Sequence, residues 1–424
     1  MKKILLLIIL VGIGYFGYNY LKNEEIIKDS PKKFIYADIL DNAISEVKIE
    51  KFTIYGKHMN VLGTLPQEKG DYTLVFKNEK EELPIKTIID NNVFKTNQYI
   101  NEGINLEKLN IGNYLLMLKE KTNNTYYTLV NDTEYHNNEY YTITKNNKNN
   151  LITFNEEEYN NKKYFLIKCE ETKLPENIYD IIIDPGHGGI DTGAGNGKYH
   201  ESKFTLDYSK ALYDALTEEG LKVKLTRESD VSIDHYGEGS RTGIPYETKA
   251  KLMLSIHLNS SNSTKQRGVE IYKAYNDNNV FAKILADNLV SEVGTIYSNN
   301  PQNKVENGIY MRVYSSSDIA NTRSEAIQKG YEPYTIDDTT TYYYFIRETG
   351  GINTKAFSDG RNPQYKANPY RDYNQGVEAY LCELAYISQG EDLKLILNKK
   401  DSFVKALKES ILNYIDKEDI NNNS

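Results

Sequence analysis

The residues able to do chemistry are few and far apart in the chain. His187 sits in Asp184-Pro185-Gly186-His187-Gly188-Gly189, immediately beyond the apolar run Ile181 to Ile183. The glycines let the backbone turn sharply there and keep space open beside the imidazole. Glu201 opens the helical pattern that follows, and His257 lies in Ser255-Ile256-His257-Leu258-Asn259, at the end of another apolar run. Two imidazoles and one carboxylate are the three-protein-ligand set of catalytic zinc sites, whose fourth position is left to water. Either histidine alone reads more simply as a structural or hydrogen-bonded group. The constellation is what points to a metal. Glu383 is the one acidic residue in the apolar run from Ala379 to Ile387, so it is either functional or paired with an arginine. Glu270, also in a strand-like run, competes with it. His58 and His136 stand alone and read as solvated or locally bonded groups.

These residues need a scaffold, and the pattern around them supplies one. Ile181 to Ile183 is a run expected of a strand buried on both faces of a parallel sheet. Phe204 to Glu219 puts Phe204, Tyr208, Ala211, Leu212, Ala215 and Leu216 on one helical face, with Gly220 where a C-terminal cap belongs. Leu221 to Leu225, Leu252 to Leu258, Val269 to Tyr272 and Leu381 to Ile387 read as further strands. Helices are expected over Val280 to Val293 and Phe403 to Ile415. This is an α/β domain with a mixed, mostly parallel sheet flanked by helices, which collects function in loops at the carboxyl ends of its strands. Arg227 and Arg241 either pair with acids near the sheet or bind substrate carboxylates. Between Tyr310 and Tyr370 lies a polar, tyrosine-rich stretch containing Ile346-Arg347-Glu348-Thr349-Gly350-Gly351, readable as a lid, a clamp or a surface excursion.

Upstream the pattern differs. Phe52 to Tyr55, Tyr72 to Phe76, Tyr114 to Leu118, Tyr126 to Val130 and Tyr164 to Ile167 are short strand-like runs separated by polar clusters, suggesting a β-rich, sandwich-like domain. At the N-terminus Lys2 and Lys3 precede an uncharged, almost wholly apolar stretch to Tyr18. Extended to Leu21 this stretch makes a helix of roughly 27 Å, near the ~30 Å hydrocarbon core. It reads as an N-terminal membrane helix that keeps the N-terminus inside and everything after it outside; the alternative is secretion after signal cleavage. The division is 1–22 signal anchor, 23–46 linker, 47–175 β-rich domain, 176–418 catalytic domain and 419–424 polar tail. The chain has 424 residues, 60 acidic against 51 basic for a net charge of −9, so no nucleic-acid partner is expected. Two cysteines, Cys169 and Cys382, exclude a disulfide framework though not one bridge, and Cys382 reads as a buried small hydrophobe.

Over roughly residues 178 to 416 the sequence resembles the zinc-dependent N-acetylmuramoyl-L-alanine amidases whose catalytic domain begins with an Asp-Pro-Gly-His-Gly-Gly motif. The resemblance runs through Asp184 to Gly189, Asp191-Thr192-Gly193-Ala194, Glu201, Leu225-Thr226-Arg227 with Asp230, Ser255 to Asn259, Gly268-Val269-Glu270 and the segment around Glu383. It implies that His187, Glu201 and His257 bind zinc and that Glu383 is the catalytic carboxylate. The expected reaction is hydrolysis of the amide between N-acetylmuramic acid and L-alanine in peptidoglycan; the alternatives are a zinc peptidase of the stem peptide and a non-catalytic wall-binding or regulatory protein. Asn259 and Arg347 are the expected substrate contacts. Expected partners are peptidoglycan, the membrane through the N-terminal helix, and an unidentified protein activator. Two departures from the pattern are Glu247, where many relatives carry asparagine, and the length of the stretch from Val305 to Tyr370.

Overall fold

The computed structural model describes residues 36–131, 133, 138–143, 149–263, 265–330, 336–349 and 375–416. The site-bearing part is a seven-stranded sheet. Its elements are β1 (Ile181–Pro185), α1 (Glu201–Glu218), β2 (Val223–Leu225), β3 (Leu252–Asn259), β4 (Glu270–Tyr272), α2 (Val280–Val293), β5 (Lys304–Glu306), β6 (Ile309–Tyr310), α3 (Ser316–Gln328), α4 (Tyr344–Thr349), β7 (Glu378–Tyr386), α5 (Gly390–Asn398) and α6 (Lys400–Asp416). The strand order is β2-β1-β3-β7-β4-β6-β5. Strands β2, β1, β3 and β7 run parallel, β4 returns antiparallel to β7, β6 is parallel to β4 and β5 is antiparallel to β6.

Side chains alternate across a strand, and that alternation sorts this sheet into two jobs. Ile181 and Ile183 of β1, Leu254 and Ile256 of β3, and Tyr380, Cys382 and Leu384 of β7 face one core, which α1, α2 and α6 cover with Leu212, Leu216, Phe281, Leu285, Phe403 and Leu407. Ile182, Met253, Ala379 and Leu381 face the other core, shared with Phe345 and Ile346 of α4 and with Tyr55 and Ile100 from upstream. By parity Asp184, Ser255, His257 and Glu383 belong to this second face, at the carboxyl rim. Helix α1 ends as its sequence suggests: Gly220 has φ +86° and the Leu221 N–H reaches back to the Leu216 carbonyl.

Upstream, a 13-stranded sheet is built mainly from residues 46–172. Its strand Gly112–Glu120 is buried on both sides, sending Tyr114, Leu116 and Leu118 to one cluster and Leu115 and Met117 to another. The hairpin of Asn149–Tyr159 with Lys162–Thr172 closes through Asn160 and Asn161, both at positive φ (49° and 60°), the geometry a two-residue hairpin turn requires. This sheet is joined to the catalytic one. Gln375 and Gly376, just before β7, pair in parallel with Ile54 and Tyr55. The Asn101 amide donates to Glu378 and Asn278 at 3.2 and 2.9 Å, and Lys249 meets Glu139 at 2.8 Å.

The expected architecture is corrected in three respects. Strand pairings over the described chain are mostly antiparallel; the parallel ones lie in the catalytic sheet, between residues 46–49 and 128–131 of the upstream sheet, and where residues 375–376 meet residues 54–55. Apolar runs report burial on two faces, which does not fix strand direction. The β-rich region is one continuous, branched hydrogen-bonded sheet where separate sheets were expected, because strand spacing counts strands without saying which edges meet. Third, among the described residues no helix is long and apolar enough to cross a membrane; the longest, α1, carries charges along its outer face. No described helix therefore supports the expected membrane partner or single-pass location; the expected anchor at 1–22 itself lies outside the described residues. Cys169 and Cys382 are both free and buried. His58 is buried in a strand, and His136 lies outside the described residues.

Candidate active site

The His187 loop is held from beneath by two arginines. Arg227 donates to the carbonyls of Pro185 (3.0 Å), Gly186 (2.9 Å), Ser202 (2.8 Å) and Ser229 (3.0 Å), tying the loop to the first turn of α1. Arg241 donates to Asp184, to the Pro185 carbonyl at 2.9 Å and to the His187 carbonyl. Asp184 also accepts from Thr226 (2.5 Å) and Ser255 (2.6 Å). Burial alone would raise its carboxyl, but Arg241 and the two hydroxyls hold it below the usual range. Of the two roles open to these arginines, Arg241 takes the ion pair, while Arg227 serves backbone carbonyls.

On this cradle the three expected ligands converge. His187 Nε2 lies 3.1 Å from Glu201 Oε2, and His257 Nδ1 lies 3.0 Å from Glu201 Oε1. One donor atom from each residue falls within 4.8 Å of the others. Glu201 is buried at the start of α1 and accepts backbone N–H groups from Ala194 and Leu258, both at 2.8 Å. Burial would raise its carboxyl, yet the two imidazoles keep it well below the ordinary range. His187 is shifted the other way: burial disfavours its charge, but Glu201 and Asp191 outweigh that and raise it. Two imidazole nitrogens and a carboxylate oxygen gathered this closely are the donor types a divalent ion such as zinc takes. The glycines leave the needed space. A Cβ on Gly186 would come within 2.4 Å of the His257 ring, and one on Gly193 (φ +64°) within 2.6 Å of both Glu201 and His187. The other ring nitrogen of His187 is bonded to Asp191 Oδ2 at 2.8 Å, the orienting contact that metal-bound histidines generally make. The cluster therefore fits a divalent cation.

Register brings the fourth residue alongside. Glu383 pairs with His257 across β3–β7 and with Glu270 across β7–β4. The two carboxylates differ sharply in surroundings. Glu270 is fully buried and accepts from Tyr272 (2.7 Å), Ser298 (2.7 Å), Asn259 (3.0 Å) and Tyr386. Glu383 lines the cavity, and its Oε2 is shut off from solvent with no hydrogen-bond partner among the described residues. Burial, then the charges of Glu201 and Glu270, push its carboxyl well above the usual value. Asn259 is thus engaged with Glu270. Arg347 is buried in α4, donating to Glu348 (2.7 Å), to the carbonyls of Tyr342 (2.8 Å) and Thr341 (3.1 Å) and to the Tyr314 hydroxyl (3.2 Å).

The cavity at this rim, about 520 Å³, is lined by Asp184, His187, His257, Leu381 and Glu383 on the sheet side. Tyr343, Tyr344 and Phe345 line it from α4 and the turn before it, and His235 from the loop after β2. Sequence reasoning placed Asp191 in a motif without giving it a role, although its position four residues after His187 was a usable signal. It missed His235 and the three aromatics, which no local pattern marks.

An α/β sheet with a His/Glu/His divalent-metal cluster at its carboxyl rim and a desolvated carboxylate beside it defines a metal-dependent hydrolase type. Residues 181–417 match the family described as N-acetylmuramoyl-L-alanine amidase (Amidase_3), and the chain belongs to that family. It is 36% identical over 122 residues to the germination-specific N-acetylmuramoyl-L-alanine amidase of Bacillus subtilis (strain 168), covering 26% of this chain and 52% of that protein. With the N-acetylmuramoyl-L-alanine amidase AmiA of Escherichia coli (strain K12) identity is 34% over 97 residues, 23% of this chain and 32% of that one. The chain thus spans about half the length of the first relative and about a third of the second. Among solved structures it is similar to the catalytic domain of CwlV, an N-acetylmuramoyl-L-alanine amidase from Bacillus (Paenibacillus) polymyxa var. colistinus, with 20% identity, 57% of this chain and 100% of that chain covered, and a TM-score of 0.38.

Proposed function

We propose that this chain hydrolyses the amide between the lactyl group of N-acetylmuramic acid and L-alanine in peptidoglycan, with His187, Glu201 and His257 holding zinc and Glu383 as the catalytic carboxylate. The observation that carries the reading is the convergence of those three side chains, with Glu383 beside them in register. Zinc held there supplies Lewis acidity, which acidifies water and polarises the scissile carbonyl. Glu383 takes a proton from the attacking water and returns one to the leaving amine as the C–N bond breaks, giving a lactyl carboxylate and a free L-alanine amine. A carboxyl pushed up by burial and by neighbouring carboxylates suits that exchange near neutral pH. Asp191 fixes the His187 ring, and Arg227 and Arg241 fix the loop that carries it. Asn259 and Arg347 act through Glu270 and α4 as positioning residues. Residues 47–175 form an accessory unit bracing the catalytic unit at 176–418.

The full chain, purified and loaded with zinc, is incubated with peptidoglycan and its products identified. Stem peptides beginning with a free L-alanine are expected, together with one zinc per chain. Fragments still carrying the lactyl group would mean a peptidase, and no release from any wall tested would mean a binding protein.

A further inference from the structure

Two stretches far apart in the chain meet over the cavity. His235 belongs to the loop after β2, and Tyr344 opens α4, yet their rings stack with centroids 4.4 Å apart and planes 24° from parallel. Tyr236 sets its edge against the same tyrosine at 5.7 Å. His235 is exposed, so this stack is not core packing. Both rings line the cavity, each with one face turned to the other.

The wall is rigid. Phe345 and Ile346 are buried under the sheet, and Arg347 clamps the carbonyls of Thr341 and Tyr342, fixing the turn that carries Tyr343 and Tyr344. On the other side Thr242 donates to the His235 carbonyl at 2.7 Å. Surfaces fixed beforehand lose little entropy on binding. The charge around the wall is also informative. Among the described lining residues the one arginine or lysine is Arg241, which is already paired with Asp184, whereas Asp191 and Glu383 bring carboxylates. Among the described residues, therefore, the lining offers a stem peptide's carboxylates no available cation. A neutral pyranose has a C–H face that suits the electron-rich face of a fixed aromatic ring, and the cavity volume lies in the small-ligand range of about 300–1,000 Å³.

We infer that His235, Tyr344 and Tyr343 form a carbohydrate subsite that takes the ring of the N-acetylmuramoyl residue on the acyl side of the scissile amide. This rests on the amidase reading above. The wall selects for a sugar-bearing substrate over a bare lactoyl-peptide.

The test compares the full-length protein with His235→Ala, Tyr344→Ala and Tyr344→Phe. Two measurements are made: the ratio of kcat/KM for an N-acetylmuramoyl-peptide to that for the matching lactoyl-peptide lacking the sugar, and the equilibrium affinity for peptide-free glycan strands. Both alanine variants should lower the ratio about tenfold, the size of losing one aromatic contact, and weaken glycan binding by a similar factor, while Tyr344→Phe keeps both. An unchanged ratio, an equal loss on both substrates, or wild-type protein that does not bind glycan would overturn the subsite. Glycan binding that is lost in the alanine variants of a protein without amidase activity would keep the subsite and remove the amidase reading. Cleavage with glycan affinity unaffected by the variants would do the reverse.

Discussion

Replacing Arg241 with methionine removes one partner of a buried ion pair and leaves the other in place. Arg241 and Asp184 are only 7% and 3% exposed, so Asp184 would be left charged, desolvated and supported only by the hydroxyls of Ser255 and Thr226. Stranding one member of such a pair typically costs about 3–5 kcal/mol, far above the 0–1 kcal/mol of an exposed pair. The sign with pH follows from Asp184, whose carboxyl is held below its usual 3.8 in the folded protein. Its stabilising contribution is present above the unfolded-state value and is lost as pH falls through the folded-state value. In the variant, burial without the arginine lifts that carboxyl above 3.8, so it takes up a proton on mild acidification. The deficit relative to wild type is therefore full at neutral pH and narrows as pH falls below about 5. Urea denaturation of both proteins between pH 4 and 8, with chelator present so that metal binding does not enter, reads this directly. The double variant with Asp184→Leu should recover much of the loss, because removing both charges strands neither. A loss under about 1 kcal/mol at pH 7, or a deficit that widens on acidification, would refute the reasoning.

Glu383→Gln should leave bound metal unchanged and lower kcat by ~100-fold or more, read by metal analysis and turnover on the same sample; retained activity would remove Glu383 from catalysis. Asp191→Asn weakens the 2.8 Å contact that orients His187 and should reduce metal affinity by about 10–100-fold in a chelator competition, with no effect expected only if His187 is not a ligand. Glu82 accepts from Lys119, Tyr126 and Lys77, and although burial works against it these donors hold it at about 2. Its contribution should be present above about pH 4.5 and fade towards pH 2, a slope that Glu82→Gln flattens in thermal melts.

The metal cluster was legible because its residue types are chemically rare and each follows an apolar strand or opens a helix. Glycine at 220 and the two-sided run at 181–183 gave local signals that the fold obeys. The aromatic wall was not legible: His235 and Tyr344 meet across more than a hundred residues, and nothing near either one hints at the other. Strand direction in β4 was hidden too, since Glu270 has the same burial whichever way its strand runs. Arg347 looked available beside two glycines, yet the folded chain surrounds its guanidinium with carbonyls.

The pairing of Gln375 and Gly376 with Ile54 and Tyr55 lies only a few residues before the strand that presents Glu383. Upstream residues thereby set where that strand begins, and Tyr55 and Ile100 roof the face on which its chemistry is displayed. A fragment trimmed to the family-matched half alone would lose this anchorage and bare a greasy surface to solvent. Such a fragment should aggregate or slip register even with every metal-binding side chain still encoded.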